Sequence, residues 1–378
     1  MTIKRAILCV AVVALFLAAG CGPSRSARNR EEAKGRWAAS RAEMVTKLAE
    51  GCFQRGEFGR ARQHLDELIK TAVPYAPTYI LAARLAAEKG ELDTARLYAE
   101  SARILDPKSA EAGYVLGTIE QTLGHPERAL AEFNEAARLD EKEPRYALAK
   151  VEMLVAKGDI EPAAKYLSEA IGRMPGRAEV HAALGDVLSV LGRYEQAAAS
   201  YRQATRLDPQ QTGLRDRLAV ALFYSGAYAE AEPLLAEVAA SEPDFSAGWA
   251  LHMRAHCLLA LGRVADARAL YDAQRQAKPG AAAPLVGLAK CDILDNRLPS
   301  AQKYLEAAIA KEPLHSEANA LMGYVLVAAG KMGEAQPHLK LALKDPACAG
   351  RATVERLLAL AGGGEAQASA NAGRAGAP

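Results

Sequence analysis

Two histidines at helical spacing are the side chains best placed to do chemistry. His252 and His256 stand four residues apart in the segment HMRAH, which puts both imidazoles on one face of a helix, as a zinc site requires. A zinc protease would have Glu directly after the first histidine, where this chain has Met253, and no third ligand accompanies the pair. The spacing therefore favours histidines that support the structure or contact a ligand over a metal site.

Sequence motifs for nucleotide binding and covalent catalysis are absent. The chain has no GxGxxG before a helix, no GxxxxGK[ST] and no GxSxG, which are the patterns that cradle phosphates or present a nucleophile. We therefore predict no catalytic residue, no metal, no cofactor, no small-molecule substrate and no enzymatic activity. A zinc-dependent or other enzyme is the weaker alternative.

The N-terminal segment MTIKRAILCVAVVALFLAAGC has the pattern of an export signal. Lys4 and Arg5 precede an apolar run over residues 6–19, which is shorter than the roughly 20 residues of a membrane-spanning helix and typical of a secretory signal. The ending LAAGC resembles the lipobox of bacterial lipoproteins, although Ala18 replaces the commoner Leu. This resemblance implies a signal peptide over 1–20 and an acylated Cys21; an ordinary cleaved signal with a chance cysteine is the alternative.

Cys21 is followed by Gly22 and then by a polar segment. With no Asp after the cysteine, the lipoprotein resemblance implies an anchor in the outer membrane, facing the periplasm of the bacterial envelope. Residues 21–41 are predicted to be the lipidated N-terminus and a tether that lies near anionic headgroups or is simply solvated. Basic residues of the tether, Arg25, Arg28, Arg30, Lys34 and Arg36 among them, outnumber the acidic residues Glu31 and Glu32.

The rest of the chain repeats with a period of 34 residues, which decides the fold. Each of nine units carries a turn residue at the same position, glycine in eight units and asparagine in one: Gly56, Gly90, Gly124, Gly158, Gly192, Gly226, Gly262, Asn296 and Gly330. Five residues after each of these comes an alanine: Ala61, Ala95, Ala129, Ala163, Ala197, Ala231, Ala267, Ala301 and Ala335. One interval, between Gly226 and Gly262, is 36, with its two extra residues in the segment DFSAGW.

Each unit has the pattern of two helices. In the fifth, apolar residues recur at three and four positions through EVHAALGDVLSVL, Gly192 ends this helix, and a second helix runs to Pro209, which prevents its continuation. The alanine, Ala197 here, is predicted to face the small residue Gly185 of the first helix.

These features resemble the tetratricopeptide-repeat family, although the family's first-helix Trp is missing from all nine units. The resemblance implies an all-α, right-handed superhelical solenoid of about nine helix-turn-helix repeats over 42–346. A capping helix is predicted at 347–361 and a disordered tail at 362–378. A single compact helical bundle is the alternative, but a bundle requires no fixed period.

The net charge argues against one class of partner, and the spacing of two cysteines argues against a disulfide. The net charge of +2 is too near neutral for a protein that binds nucleic acid electrostatically. Cys257 and Cys291 occupy equivalent points on adjacent repeats, on the order of 10 Å apart, which is beyond the reach of a disulfide. With Cys52 and Cys348, they are predicted to be small buried hydrophobic residues.

The family resemblance also implies a concave groove lined by positions 2, 5, 9 and 12 of each first helix. The early repeats place polar residues there: Glu43, Thr46, Glu50, Arg84, Glu111 and Glu152. The later repeats place mostly aromatic residues there, and we predict that six bind a partner: Phe223, Tyr224, Trp249, His252, His256 and Tyr324. Leu259 is also predicted to face the groove. The alternative to partner binding is that some of these rings pack in the interior of the protein.

We therefore predict a lipid-anchored scaffold that binds a partner protein or peptide in this groove, with membrane contact through Cys21. The chain resembles envelope-assembly lipoproteins of pilus, secretin or exopolysaccharide systems; an adaptor for exopolysaccharide export or for cell-wall enzymes is the alternative. The family's carboxylate-clamp pattern is absent, which argues against a clamped peptide terminus. A subunit that polymerises end to end would need an apolar last helix, which Arg351, Glu355 and Arg356 contradict.

Overall fold

The computed structural model describes residues 25–71, 73–241 and 248–362. All regular secondary structure in these ranges is helical, which confirms the all-α fold. The helices are α1 (Arg25–Gln54), α2 (Phe58–Lys70), α3 (Ala76–Glu88), α4 (Leu92–Leu105), α5 (Ala110–Thr122), α6 (Pro126–Leu139), α7 (Pro144–Lys157), α8 (Ile160–Arg173), α9 (Ala178–Val190), α10 (Tyr194–Leu207), α11 (Thr212–Tyr224), α12 (Tyr228–Ser241), α13 (Gly248–Ala260), α14 (Val264–Ala277), α15 (Ala283–Leu294), α16 (Leu298–Lys311), α17 (Ser316–Ala328), α18 (Met332–Leu343) and α19 (351–362).

The repeated glycine ends the first helix of each pair, as predicted. Gly192 has a φ of 71°, in the left-handed region that glycine adopts without strain. The amide of Arg193 then donates to the Leu188 carbonyl at 2.9 Å and that of Gly192 to the Ser189 carbonyl at 3.0 Å, which satisfies the last carbonyls of the helix. Asn296 takes the same role with a φ of 57°, since Asn tolerates this conformation better than other side chains.

The chain divides into two compact units, Met1–Ala183 and Leu184–Pro378, and the division falls inside α9. In the first unit, each helix packs against the next, and α1, α3 and α5 also pack against one another in order. One core cluster joins Ala49 and Leu65 to Leu81 and Leu85. Stability in such an array comes from each hairpin and its contacts with the neighbouring hairpins.

In the second unit, each helix from α10 to α18 packs against the next, and α15 also packs against α17. Leu258, Tyr271 and Leu288 form a core between α13, α14 and α15. A larger cluster extends from α15 to α19 and includes the buried Val354 and Ala361 of the last helix. All nine repeated alanines, in both units, have zero exposed surface, so these positions belong to the packed interior.

The small residue of the first helix has a different partner from the predicted one. The heavy atoms nearest to a Cβ built on Gly185 belong to the Tyr201 ring, at 2.6 Å, and not to Ala197. The same relationship joins Gly117 to Phe133, at 2.7 Å. The small residue therefore receives the large side chain that comes nine residues after the repeat's turn glycine.

The two ends of the chain differ from the predicted boundaries. Where a tether was expected over 21–41, α1 runs without interruption from Arg25 to Gln54, because this segment is rich in Ala, Arg, Glu and Lys, which favour helix, and lacks proline. The capping helix spans 351–362 rather than 347–361, since Gly350, with a φ of 68°, forms the turn before it. The signal peptide over 1–20, Cys21 and tail residues 363–378 lie outside the described residues. Within the described ranges, no helix is both long enough and apolar enough to span a membrane.

Candidate functional site

Three of the predicted partner-binding residues lie together in the second unit. The Phe223 ring contacts Tyr224 and His256, with ring centroids 5.3 and 5.2 Å apart. Tyr228 lies 5.9 Å from Phe223 and 5.7 Å from His256, and Tyr194 stacks on Tyr224 at 5.0 Å. We refer to Tyr194, Phe223, Tyr224, Tyr228 and His256 as the aromatic cluster.

The aromatic cluster is partly open to solvent. Tyr224 is 54% exposed, although two rings pack against it, and Phe223 is half-buried. Tyr194 and Tyr228 begin the second helices α10 and α12, next to the turn glycines, so their contribution was not predicted from groove positions alone. Exposed, mutually supported rings lose little conformational freedom when a partner covers them, which suits a binding surface.

The other predicted aromatics stand apart from the aromatic cluster. Trp249 is 38% exposed on α13 and Tyr324 is 41% exposed on α17. Within the described ranges neither ring stacks on the cluster. The predicted break DFSAGW lies mostly outside the described residues, which resume at Gly248.

The two histidines of HMRAH have lowered pKa values. Partial burial disfavours the charged imidazolium of His252 and of His256, and the Lys290 ammonium lowers both pKa values further. Lys290 itself forms an ion pair with Glu317 of α17, N to O 2.5 Å. The Nδ1 atom of His256 is buried without a hydrogen-bond partner in the protein. In the described part of the chain, no three metal-ligating side chains come together.

The first unit contains a cavity of about 320 Å³ between α1, α3, α5 and α7. Its lining residues are Phe53, Arg84, Ala87, Glu88, Glu111, Tyr114, Val115, Thr118, Ile119 and Arg145. The Arg84 guanidinium lies over the Phe53 ring at 5.0 Å and pairs with Glu50 at 3.4 Å.

Arg145 has equivalent surroundings at the other side of this cavity. Its guanidinium lies 5.5 Å from the Tyr114 ring centroid and pairs with Glu111 at 3.3 Å. Tyr146 also donates to Glu111 at 2.9 Å, which fixes that carboxylate. Arg145 also lies 5.4 Å from the Tyr146 ring centroid and pairs with Glu143 at 3.1 Å. Both arginines are therefore oriented by aromatic rings and carboxylates, in the arrangement typical of sites that recognise planar or anionic groups.

These contacts correct the predicted contrast between a polar first half and an aromatic second half. Phe53, Tyr114 and Arg145 occupy groove positions 12, 5 and 2 of repeats 1, 3 and 4, so the same positional rule could have found them. Thr46, predicted to face the groove, is buried and bonds the Thr78 hydroxyl at 2.8 Å. Its exposed fraction of 7% shows that it belongs to the contact between α1 and α3.

The buried carboxylates of the second unit hold neighbouring repeats together. Asp292 is 1% exposed and accepts hydrogen bonds from Arg268 at 2.7 Å and Arg297 at 3.0 Å. Burial acts to raise the pKa of this carboxyl, but hydrogen bonds from Ser300 and both arginines bring its pKa below the usual value. Asp292 is thus an ionised group that joins α14 to α15 and to the start of α16.

The stacked hairpins, with open cavities lined by rings and charges, define a helical-repeat interaction scaffold. Two tetratricopeptide-repeat profiles match the chain: one over 154–212, 191–255 and 258–323, the other over 80–144 and 295–352. Together they cover well over half of the sequence. The chain belongs to the tetratricopeptide-repeat family.

The chain is similar to one curated protein, cellulose synthase operon protein C of Xanthomonas axonopodis pv. citri (strain 306), at 29% identity over 184 residues. That alignment covers 46% of this chain and 12% of the relative. The chain is also similar to solved structures. A tetratricopeptide-repeat protein of Parabacteroides merdae ATCC 43184 is 16% identical, with a TM-score of 0.40, and covers 76% of this chain and 98% of its own. The structure of pilF of Pseudomonas aeruginosa is 22% identical, with a TM-score of 0.42. That match covers 55% of this chain and 93% of the pilF chain.

Proposed function

We propose that this protein is a lipid-anchored scaffold of the bacterial envelope that binds a partner protein through the aromatic cluster and the adjacent residues of α13. The observation that carries the proposal is the solvent-open cluster of Phe223, Tyr224 and His256 in a protein of the tetratricopeptide-repeat family. Binding energy in protein interfaces concentrates on such rings, which offer large contact areas at a small entropic cost.

His256 adds a specific feature to this surface. Its Nδ1 atom is buried and lacks a partner within the protein, and a buried polar atom without a hydrogen bond is costly. The lowered pKa keeps the ring neutral at pH 7, so one ring nitrogen can accept while the other donates. The neutral His256 ring therefore adds to the uncharged surface around Phe223 that a bound segment would cover.

The anchor is proposed from the sequence of the N-terminus. LAAGC places Cys21 where lipoproteins are acylated, and several acyl chains hold a protein on a membrane where one chain does not. Export to the periplasm follows from the same leader. The lack of Asp at residue 22 supports the outer membrane as the destination.

Two kinds of envelope system suit such a scaffold. Assembly of a pilus or secretin is the first candidate, from the resemblance to envelope lipoproteins. Exopolysaccharide export is the second, and the similarity to a protein named for a cellulose synthase operon favours it. Because only a small part of that relative is matched, its activity does not transfer to this chain. Neighbouring genes for secretins and pilins, or for polysaccharide polymerases, would separate the two.

Site-specific photo-crosslinking in cells tests the binding surface directly. A benzophenone amino acid at Tyr224 is expected to give a discrete adduct with an envelope protein, identified by mass spectrometry. The matched control places the same group at Ala199, which is exposed on α10 and outside the aromatic cluster. Equal adducts from both positions, or none from Tyr224, would contradict the proposed site.

A further inference from the structure

The first helix presents an exposed face that combines apolar and basic side chains. At 3.6 residues per turn, one side of α1 carries Arg30, Lys34, Trp37, Arg41, Met44 and Leu48, which we call the Trp37 face. Trp37 is 67%, Met44 72% and Leu48 51% exposed. The Arg41 guanidinium lies 5.8 Å from the Trp37 ring centroid and also pairs with Glu67 of α2.

The C-terminal part of this face, at Met44 and Leu48, occupies positions that are buried in the following repeats. The residues at the position of Met44 in the next three repeats are at most 5% exposed: Thr78, Ala112 and Tyr146. The equivalents of Leu48 in the next two repeats, Ala82 and Leu116, are also buried. In those repeats these positions belong to the packed core, whereas at the start of the array Met44 and Leu48 are left open. Exposed apolar surface of this kind marks a contact site.

Basic and acidic residues lie on different sides of α1. Arg30, Lys34 and Arg41 lie on the Trp37 face, while the acidic residues Glu31, Glu32 and Glu43 point to other sides of the helix, as their spacing at 3.6 residues per turn requires. A basic, Trp-containing helix face to which the helix itself contributes no acid is the pattern of helices that lie in the interface of an anionic membrane. Tryptophan prefers this interface because its ring is apolar and its N–H is polar, and long basic side chains reach past it to the headgroups.

We propose that the Trp37 face of α1 binds an anionic lipid surface and so sets the first repeat directly against the membrane. A second copy of the chain is a poorer occupant, because two Trp37 faces would bring the like charges of Arg30 and Lys34 together. This contact does not require acylation of Cys21. The two interactions would act on the same membrane, and each would raise the effective concentration of the other.

Trp37 fluorescence in the full chain tests this contact. Trp37 and Trp249 are the two tryptophans, so Trp249→Phe leaves Trp37 as the reporter. With vesicles of phosphatidylglycerol and phosphatidylethanolamine we expect a blue shift and strong quenching by brominated lipid. With phosphatidylcholine vesicles, or at high salt, both should be largely lost. Equal effects on both vesicles, or none on either, would overturn the proposal.

A matched pair of charge reversals tests the face itself. Lys34→Glu is expected to abolish the quenching, whereas Arg36→Glu, equally exposed and nearly opposite on the helix, should retain it. A blue shift that grows with protein concentration in the absence of vesicles would indicate a second copy instead. Emission already shifted in dilute protein, and unchanged by vesicles, would mean that residues 1–24 cover the face. Labelling of Cys21 by a fatty-acid probe reports separately on the anchor, so the two proposals can fail independently.

Discussion

The ring of Tyr201 on α10 fills the space that a side chain at Gly185 on α9 would need, since a Cβ there would lie 2.6 Å from the ring. The Tyr201 hydroxyl then reaches Asp186, to which it donates at 2.7 Å. Arg217 of α11 pairs with the same carboxylate at 2.8 Å. The contact inside one hairpin is thereby linked to the next repeat through Asp186.

Gly185→Ala is expected to lower stability despite the higher helix propensity of alanine. Overpacking typically costs about 1–3 kcal/mol, while replacing glycine in a helix gains up to about 1 kcal/mol. Gly172→Ala is the control, because Gly172 is exposed on α8 with nothing within 4 Å of a built Cβ, and it should stabilise. Denaturant unfolding measures both, and a stabilising Gly185→Ala would show that the Tyr201 ring moves freely.

Ala197→Glu is expected to unfold the fifth repeat locally. Ala197 has no exposed surface, so the substitution buries a charge and adds volume where two helices touch. Distant repeats should keep their protection in hydrogen exchange, because coupling in repeat arrays is between neighbours. Ala199→Glu, at an exposed position of the same helix, is the control. Full protection of the fifth repeat in Ala197→Glu would contradict the packing described.

Partner binding should depend on the exposed aromatic residues of the second unit. Tyr224→Ala with Trp249→Ala is expected to weaken capture of the periplasmic partner by about thirtyfold or more, since truncating an aromatic hot spot costs about 2 kcal/mol. Glu43→Ala with Glu50→Ala should have little effect. Both variants must first show native circular dichroism. If only the second pair loses the partner, the site is the cavity of the first unit, where Glu50 holds Arg84.

Acylation of Cys21 is tested by labelling with a fatty-acid probe in cells. Cys21→Ser should abolish labelling and leave an uncleaved or soluble precursor, because the hydroxyl cannot form the thioether to which the acyl chains are attached. Cys9→Ser, within the apolar leader, should label normally. Persistent labelling of Cys21→Ser would remove the lipoprotein proposal while leaving the repeat scaffold intact.

The second unit should lose stability as pH falls. Burial lowers the pKa of His252, His256 and His338 below the usual 6.5, so the unfolded chain takes up protons first. The stability due to the neutral rings is present above pH 6.5 and decreases as pH falls through the lower folded-state values. His256→Gln cannot titrate and should show a smaller loss between pH 7.5 and 5. An equal loss in wild type and variant would contradict this role of His256.

Much of the array could be predicted from single residues and their spacing. Gly192 ends a helix wherever its neighbours are placed, since the left-handed turn is a local property, and Pro209 acts through its own ring and missing N–H. The buried alanines follow from the period alone. The boundaries at the ends could not be predicted in this way, because a polar sequence such as 25–41 is compatible with either a solvated tether or a helix that continues the first repeat.

The candidate site was likewise predicted in part from the sequence. Phe223, Tyr224 and His256 were predicted from their groove positions, and the structure places their rings in contact. The structure also adds Tyr194 and Tyr228 to the cluster, because the start of each second helix lies beside the end of a first helix. A contact between two helices cannot be predicted from the residue spacing within one of them.

The sequence by itself determined the helices, their stops and the repeat, because those depend on φ preferences, periodicity and small side chains within a few tens of residues. The tertiary structure alone decided which large side chain enters each small-residue gap, as Tyr201 does at Gly185, and which charges meet across repeats, as Arg84 and Glu50 do. It also decided that Thr46 is buried while Met44 is open. The physical reason is that a helix period fixes the direction of a side chain, whereas its partner depends on the crossing of neighbouring helices and on whether a neighbour is present at all.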